Sequence, residues 1–179
     1  MIFSRQNKKI KQAAYMLFTK IVSQARMPHF YSDWGVADTV DGRFDLIILH
    51  LALVVDRLES HEESKQVALL IRYLQEVLFD NMDMSLREMG VGDMSVGKKI
   101  KIMAEAYNGR LAAYAGATRS DDMAESFKPV LIKNIYRQQM PEQAILDHFT
   151  SYVVRQVKCL EKQTDEDFIL TGLIFKEVR

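Results

Sequence analysis

The chain has 179 residues, 24 Lys and Arg balanced by 24 Asp and Glu, and one cysteine, Cys159. That length suits a single domain, 1–179, with a sizeable core, and zero net charge gives no overall attraction to nucleic acid or to a charged lipid surface. One cysteine excludes an internal disulfide and a four-cysteine zinc site, and fits a reducing compartment.

The charge is unevenly spread. Residues 1–26 carry Arg5, Lys8, Lys9, Lys11, Lys20 and Arg26 and no acid, whereas residues 27–61 carry six acids against Arg43 and Arg57. Ile10, Ala14, Leu17, Phe18, Ile21 and Ala25 recur at spacings of three and four, which predicts an amphipathic helix from about Lys8 to Arg26. Its basic face is either a solvated side of a bundle helix or a surface attracted to anionic lipid or ribosomal RNA. The lysines interrupt any apolar run, so the N-terminus does not read as a secretory signal.

Periodicity lapses from Met27 to Asp41, where Phe30, Tyr31 and Trp34 lie among turn residues. Three aromatics do not leave water without a groove to fill, so this is expected to be a structured loop packed across the helices, with Thr39 or Asp41 capping the next one. Phe44–Leu58 is apolar on every side, as in a helix surrounded by others. Its ten-residue run Leu46–Val55 is too short to span a membrane, which needs roughly 20 such residues. His50, inside that run, is expected to tie the helix to a neighbour by a hydrogen bond.

Val67, Ile71, Leu74, Leu78 and Met82 predict a helix from near Glu62 to the end of the 70s. A rich connection follows, Phe79 to Ser95, with Gly90 as a left-handed stop and Asp93 or Ser95 as the next N-cap. Val96, Ile100, Met103, Tyr107, Leu111 and Tyr114 mark one face of a long helix. Gly109, Ala112 and Gly116 lie opposite, where a second helix is expected to approach closely. Lys99 and Arg110 flank the apolar face; Lys98 and Lys101 point away from it. Asp121 or Asp122 can cap a helix to about Lys128, with Pro129 continuing or kinking it. Pro141 is expected to open the last long helix, cored by Ile145, Phe149, Tyr152 and Leu160. Phe168–Phe175 should pack back as a short helix or irregular tail. The expected fold is all-α: one compact multi-helix domain with an aromatic-rich loop between its first two helices.

No nucleophile–base motif, metal-ligand histidine spacing or phosphate-binding glycine loop appears. Asp80-x-x-Asp83 is the one enzyme-like feature: two carboxylates on a helix face that could hold Mg²⁺ through a diphosphate, facing Asp165-Glu166-Asp167. The alternative is a solvated pair, with Asp83 bridging to Arg87 at i,i+4. The methionines carry more information. Met82, Met84, Met89, Met94 and Met103 gather around one connection, and flexible thioethers repack against varied apolar partners. About half would be core, and the rest would form an adaptable apolar surface edged by Asp80, Asp83, Arg87, Asp93 and Lys99.

Two stretches resemble the ubiquinol–cytochrome c chaperone family. One is Phe30-Tyr31 with Gly35 to Leu46, through Asp38 and Arg43, and His50. The other is Met82-Asp83, Leu86-Arg87-Glu88-Met89-Gly90-Val91-Gly92-Asp93, Val96-Gly97-Lys98-Lys99 and Tyr107-Asn108-Gly109-Arg110 to Tyr114. Ala37 stands where proline is expected in many relatives, and the lack of a mitochondrial-type presequence resembles a bacterial member. The resemblance implies a helical, non-enzymatic assembly chaperone for the cytochrome bc1 complex. Its expected client is cytochrome b or another membrane protein, with a small partner protein or the ribosome as further partners. No cofactor, metal or specific nucleic acid is implied. The expected location is cytoplasmic, peripheral at the inner membrane through residues 8–26.

On this reading the client or partner meets Asp80, Met82, Asp83, Met84, Leu86, Arg87, Met89, Val91, Asp93, Met94, Lys98 and Lys99. Phe30, Tyr31, Asp38, Arg43, His50, Tyr107, Gly109, Arg110 and Tyr114 are expected to be either structural or ligand-contacting. The competing reading makes the chain a helical domain for haem or an isoprenoid quinone, with His50 and the aromatic loop lining the pocket.

Overall fold

The computed structural model of the protein describes residues 2–60 and 64–178, with the side chains of residues 2–5 and 171 outside that description. Seven α-helices and one π-helical turn follow in order: α1 Ile2–Ala25, α2 His29–Ser32, α3 Val40–Glu59, α4 Lys65–Glu88, α5 Asp93–Thr118, α6 Met123–Asn134, α7 Gln143–Leu160, and the turn Asp167–Thr171. No strand occurs among the described residues.

The core is built around α3, on which every residue from Phe44 to Leu58 is buried. A helix apolar on all sides must be covered on all sides, and α1, α4, α5 and α7 all pack against it. Each fully buried Leu, Ile or Val contributes about 1.5–3 kcal/mol relative to exposure, so this placement follows from the composition of the segment. The entry to α3 is tight. Thr39 Oγ1 accepts a hydrogen bond from the Gly42 amide at 3.1 Å, and a Cβ on Gly42 would lie 2.0 Å from the Ala37 carbonyl oxygen. Only glycine fits that approach.

The aromatic loop is ordered as expected. α2 is a single turn within it, and Phe30, Trp34 and Val36 are buried. Phe30 meets Trp34, His50, Phe149 and Tyr152 with ring centroids 5.3–5.6 Å apart, mostly edge to face, the arrangement that ring quadrupoles favour.

Helix boundaries depart from the sequence reading in several places, and α1 starts six residues before the expected Lys8. The start of α4 expected near Glu62 lies outside the described residues. Its end is ten residues later than read, because Phe79–Glu88 continues the helix, with Met82 and Leu86 extending its buried face. Pro141 stands just before the Glu142 N-cap of α7 rather than at its first helical position. Asp122 caps α6 by accepting from the Glu125 amide at 3.1 Å, and Pro129 sits inside that helix without ending it.

After α6 the chain turns through two left-handed non-glycine residues, Arg137 at φ 52° and Gln138 at φ 67°. Such a conformation costs about 1–2 kcal/mol per residue. The turn carries the Arg137 guanidinium onto Asp45 of α3 at 3.1 Å and Asp41 at 3.0 Å. Asp45 is wholly buried and is also paired with Arg110 of α5 at 2.7 Å. Burial pushes its carboxyl up, while Arg110 and Arg137 pull it down. This triad joins α3, α5 and the α6–α7 connection.

Candidate functional site

The corner between α4 and α5 is closed by two devices. The first is in the backbone: Gly90, at φ 80°, lets its own amide donate to the Arg87 carbonyl at 2.9 Å and the Val91 amide to the Leu86 carbonyl at 3.0 Å. These are the paired bonds of a Schellman cap, which satisfy the last carbonyls of a helix and need a left-handed residue between them. The second is Arg87. Its Nε donates to Asp83 Oδ2 at 2.6 Å, one turn back on α4, and its Nη1 donates to Asp93 in the first turn of α5. Asp93 also lies where the positive end of the α5 dipole favours an anion. It is not the N-cap expected from sequence; Gly92 occupies that position without a side-chain cap.

Around this fixed corner the methionines divide. Met84, Met89 and Met94 are 53%, 50% and 98% exposed, whereas Met82 is buried. Leu86 is buried too, so Met82 and Leu86 belong to the core and are withdrawn from the expected contact surface. Val91 and Asp83 are half-buried, and Asp80, Arg87, Asp93, Lys98 and Lys99 are exposed. The surface that remains is three thioethers about a capped, ion-paired turn, with Asp80, Lys98 and Lys99 exposed on the same two helices.

This geometry gives the Mg²⁺ reading of Asp80 and Asp83 no support. Asp83 is held by Arg87, Asp165 by the buried Arg57 at 3.3 Å, and among the described residues no cluster of three or more acidic, His or Cys side chains is placed to hold a metal ion.

The haem-pocket reading of His50 meets a similar obstacle. His50 is wholly buried, with Nδ1 2.7 Å from the Leu46 carbonyl oxygen and Nε2 2.7 Å from the Tyr152 hydroxyl. A carbonyl only accepts, so Nδ1 carries the proton and Nε2 accepts from Tyr152. Gln24 of α1 donates in turn to the Tyr152 oxygen at 2.8 Å. Both ring nitrogens are engaged, and the rings of Phe30 and Phe175 pack edge-on against the imidazole. The histidine ties α3 to α7, the role its sequence context predicts.

The other residues expected to be structural are placed as follows. Tyr31 donates to the Ala25 carbonyl at 2.9 Å, and Asp38 pairs with Arg43 at 2.7 Å on the surface. The Tyr107 hydroxyl accepts from Gln75 at 3.4 Å, and burial pushes its pKa up to about 12. Arg110 lies over the Phe44 ring at 5.7 Å beside its partner Asp45. Tyr114 is fully buried, and burial raises its pKa. The expectation that Gly109, Ala112 and Gly116 admit a second helix is overturned: all three are exposed, and a Cβ on Gly109 or Gly116 would meet nothing within 4 Å.

Residues that sequence reasoning missed are those whose partners are far along the chain. Arg137 lies 92 residues from Asp45, and no periodicity links them. Gln156 and Gln163 hold the C-terminal tail by its backbone: Gln163 accepts from the Ile174 amide at 3.0 Å and donates to the Ile174 carbonyl at 2.9 Å, and Gln156 does the same at Lys176 at 2.9 Å each.

Comparison with known proteins places this architecture. Residues 32–175 match the family described as Ubiquinol-cytochrome C chaperone. The chain belongs to that family. The ubiquinol–cytochrome c chaperone relatives include "Ubiquinol-cytochrome-c reductase complex assembly factor 1" of Xenopus laevis, 24% identical over 164 residues, covering 92% of this chain and 80% of the relative. The protein of that name from Mus musculus is 23% identical over 164 residues. This chain spans 54% of the mouse relative's length. Among solved structures, the crystal structure of the Cbp3 homolog from Brucella abortus superposes with a TM-score of 0.85 at 28% identity, covering 99% of this chain and 96% of that one. Among the described residues no helix is long and apolar enough to cross a membrane.

Proposed function

We propose that this chaperone-family member assists assembly of the ubiquinol–cytochrome c reductase (cytochrome bc1) complex without catalysing a reaction. Its client on this reading is cytochrome b, held by apolar segments at the α4–α5 corner while the chain stays at the membrane periphery. The family match and the assembly-factor names of the relatives support the process. One structural observation carries the site: Met84, Met89 and Met94 stand exposed on a corner held rigid by Gly90 and Arg87. A rigid support costs no ordering entropy when a client docks, and thioethers adapt to clients of irregular shape. Arg87 is spent on Asp83 and Asp93, so charge steering at the rim falls to Asp80, Lys98 and Lys99.

The test is a strain lacking the protein, complemented either with the natural chain or with Met84→Ser, Met89→Ser and Met94→Ser combined. The triple variant should keep its helical circular dichroism, lose capture of cytochrome b, and lower the bc1 complex while other respiratory complexes stay level. An unchanged bc1 level in the deletion strain would remove the function. Restoration of that level by the triple variant would move the site elsewhere.

A further inference from the structure

The C-terminal tail, residues 172–178, runs in extended form between α1 and α7. On the α1 side, Lys20 donates to the Leu173 carbonyl at 2.9 Å and Gln24 to the Lys176 carbonyl at 3.0 Å. Gln156 and Gln163 hold the opposite edge. Leu173 and Val178 turn inward and are buried, while Ile174 and, in the preceding π-helical turn, Leu170 turn outward at 62% and 69% exposure.

One open groove lies beside the π-helical turn that precedes this segment and another beside the segment itself. One, about 600 Å³, lies where Leu170 meets α1 beside Lys9 and Met16, the latter 47% exposed. The other, about 900 Å³, lies where Ile174 meets α7 beside Lys158, Lys162 and Lys176. Those four lysines are exposed, and Glu177 is the one acid among the described lining residues of either groove. Among the described acids nearby, Asp165 pairs with Arg57, Asp167 accepts from Thr164, Glu161 lines a separate cleft with Arg57 and Arg119, and Glu166 is exposed. Along the described linings of the two grooves themselves, cations outnumber acids around large apolar side chains.

We infer that this face is a membrane-docking surface, on which Leu170, Ile174 and Met16 enter the headgroup–acyl boundary of an anionic bilayer and the four lysines engage its phosphates. Exposed apolar residues ringed by lysines match both layers of such a surface, and each basic residue near it adds to the attraction. An acidic protein or RNA would meet the lysines but leave Leu170 and Ile174 without a partner. The inference deepens the peripheral location proposed above and relocates it: the contact expected of residues 8–26 is here made by Lys9 and Met16 of α1 together with the tail and α7.

Flotation of the intact protein with vesicles tests it. The natural chain should float with phosphatidylcholine vesicles containing phosphatidylglycerol and not with phosphatidylcholine alone, and added salt should release it. Leu170→Glu with Ile174→Glu, and separately Lys158→Glu with Lys162→Glu, should each lower the bound fraction about tenfold. All four sites are exposed, and a melting curve verifies that the variants fold. The triple methionine variant should float like the natural chain. Failure to float with anionic vesicles, unchanged flotation of both double variants, or retention by RNA alone would overturn the inference. None of these results bears on the bc1 level in the complemented strain, so the chaperone reading stands or falls separately.

Discussion

Gln24, Tyr152 and His50 form a chain of hydrogen bonds whose direction is fixed at the Leu46 carbonyl. The chain works only with a neutral imidazole. Burial lowers the His50 pKa to about 4 from 6.5, so the unfolded chain takes up a proton before the folded one does. The stability this provides is complete above pH 6.5 and is lost as pH falls toward 4, at about 1.4 kcal/mol per unit, or roughly 3 kcal/mol in all. Asp45 and Asp56 act in the opposite sense, since burial raises their carboxyls and the folded state then gains relative stability in acid. A comparison with His50→Gln cancels those carboxylates. Denaturant midpoints measured from pH 7.5 to pH 4.5 should show the natural chain's advantage constant above 6.5 and shrinking below it. A gap that stays constant would mean that His50 is not held neutral.

At the level of helices and their junctions, two glycines are predicted to respond to alanine with opposite signs. Gly90 is left-handed with nothing within 4 Å of a Cβ, so Gly90→Ala should cost about 1–2 kcal/mol from backbone conformation alone. Gly109 lies in the interior of α5, exposed, with the same open space. Gly109→Ala should stabilise by about 0.5–1 kcal/mol. Thermal melts of the two single variants read both signs, and destabilisation by Gly109→Ala would mean that the α5 face is covered after all. The contrast shows what sequence conveys at this scale. The spacing of Val96, Tyr107 and Tyr114 identifies the buried face of α5 correctly, because burial of large side chains leaves a period. The spacing of Gly109, Ala112 and Gly116 defines a face equally well, but small residues are compatible with a close neighbour or with none. Likewise Phe79–Ser95 reads as a long connection because its Asp, Asn, Ser and Gly favour turns. Most of it is helix, since Met82 and Leu86 find core partners that composition does not reveal.

Over the whole molecule, the all-helical architecture, the central α3 and the aromatic plug were legible, since each rests on apolar pattern. The polar ties that lock it were not. Asp45 with Arg110 and Arg137, Arg57 with Asp165, and the glutamines with the tail join segments that only the tertiary fold brings together. The candidate site was half legible: composition drew attention to the methionines, but which were exposed depended on the extension of α4. Gln163 offers a whole-molecule test, because it couples the turn after α7 to the chain end. Gln163→Leu would remove the Gln163 hydrogen bonds to the half-buried Ile174 amide and carbonyl, at about 0.5–1.5 kcal/mol for each bond. Trypsin should then cut sooner at Lys176, with far-ultraviolet circular dichroism unchanged. Unaltered cleavage would show that the glutamine does not hold the tail.

A tail gripped through its amides and carbonyls is indifferent to the letters that face outward. Gln156 and Gln163 read positions 174 and 176 as peptide groups, and the side chains at 170 and 174 project away from the fold. Substitution at these outward positions therefore leaves the fold nearly untouched. Lineages of this family can retune whatever the tail touches by ordinary point mutation, without passing through an unstable intermediate.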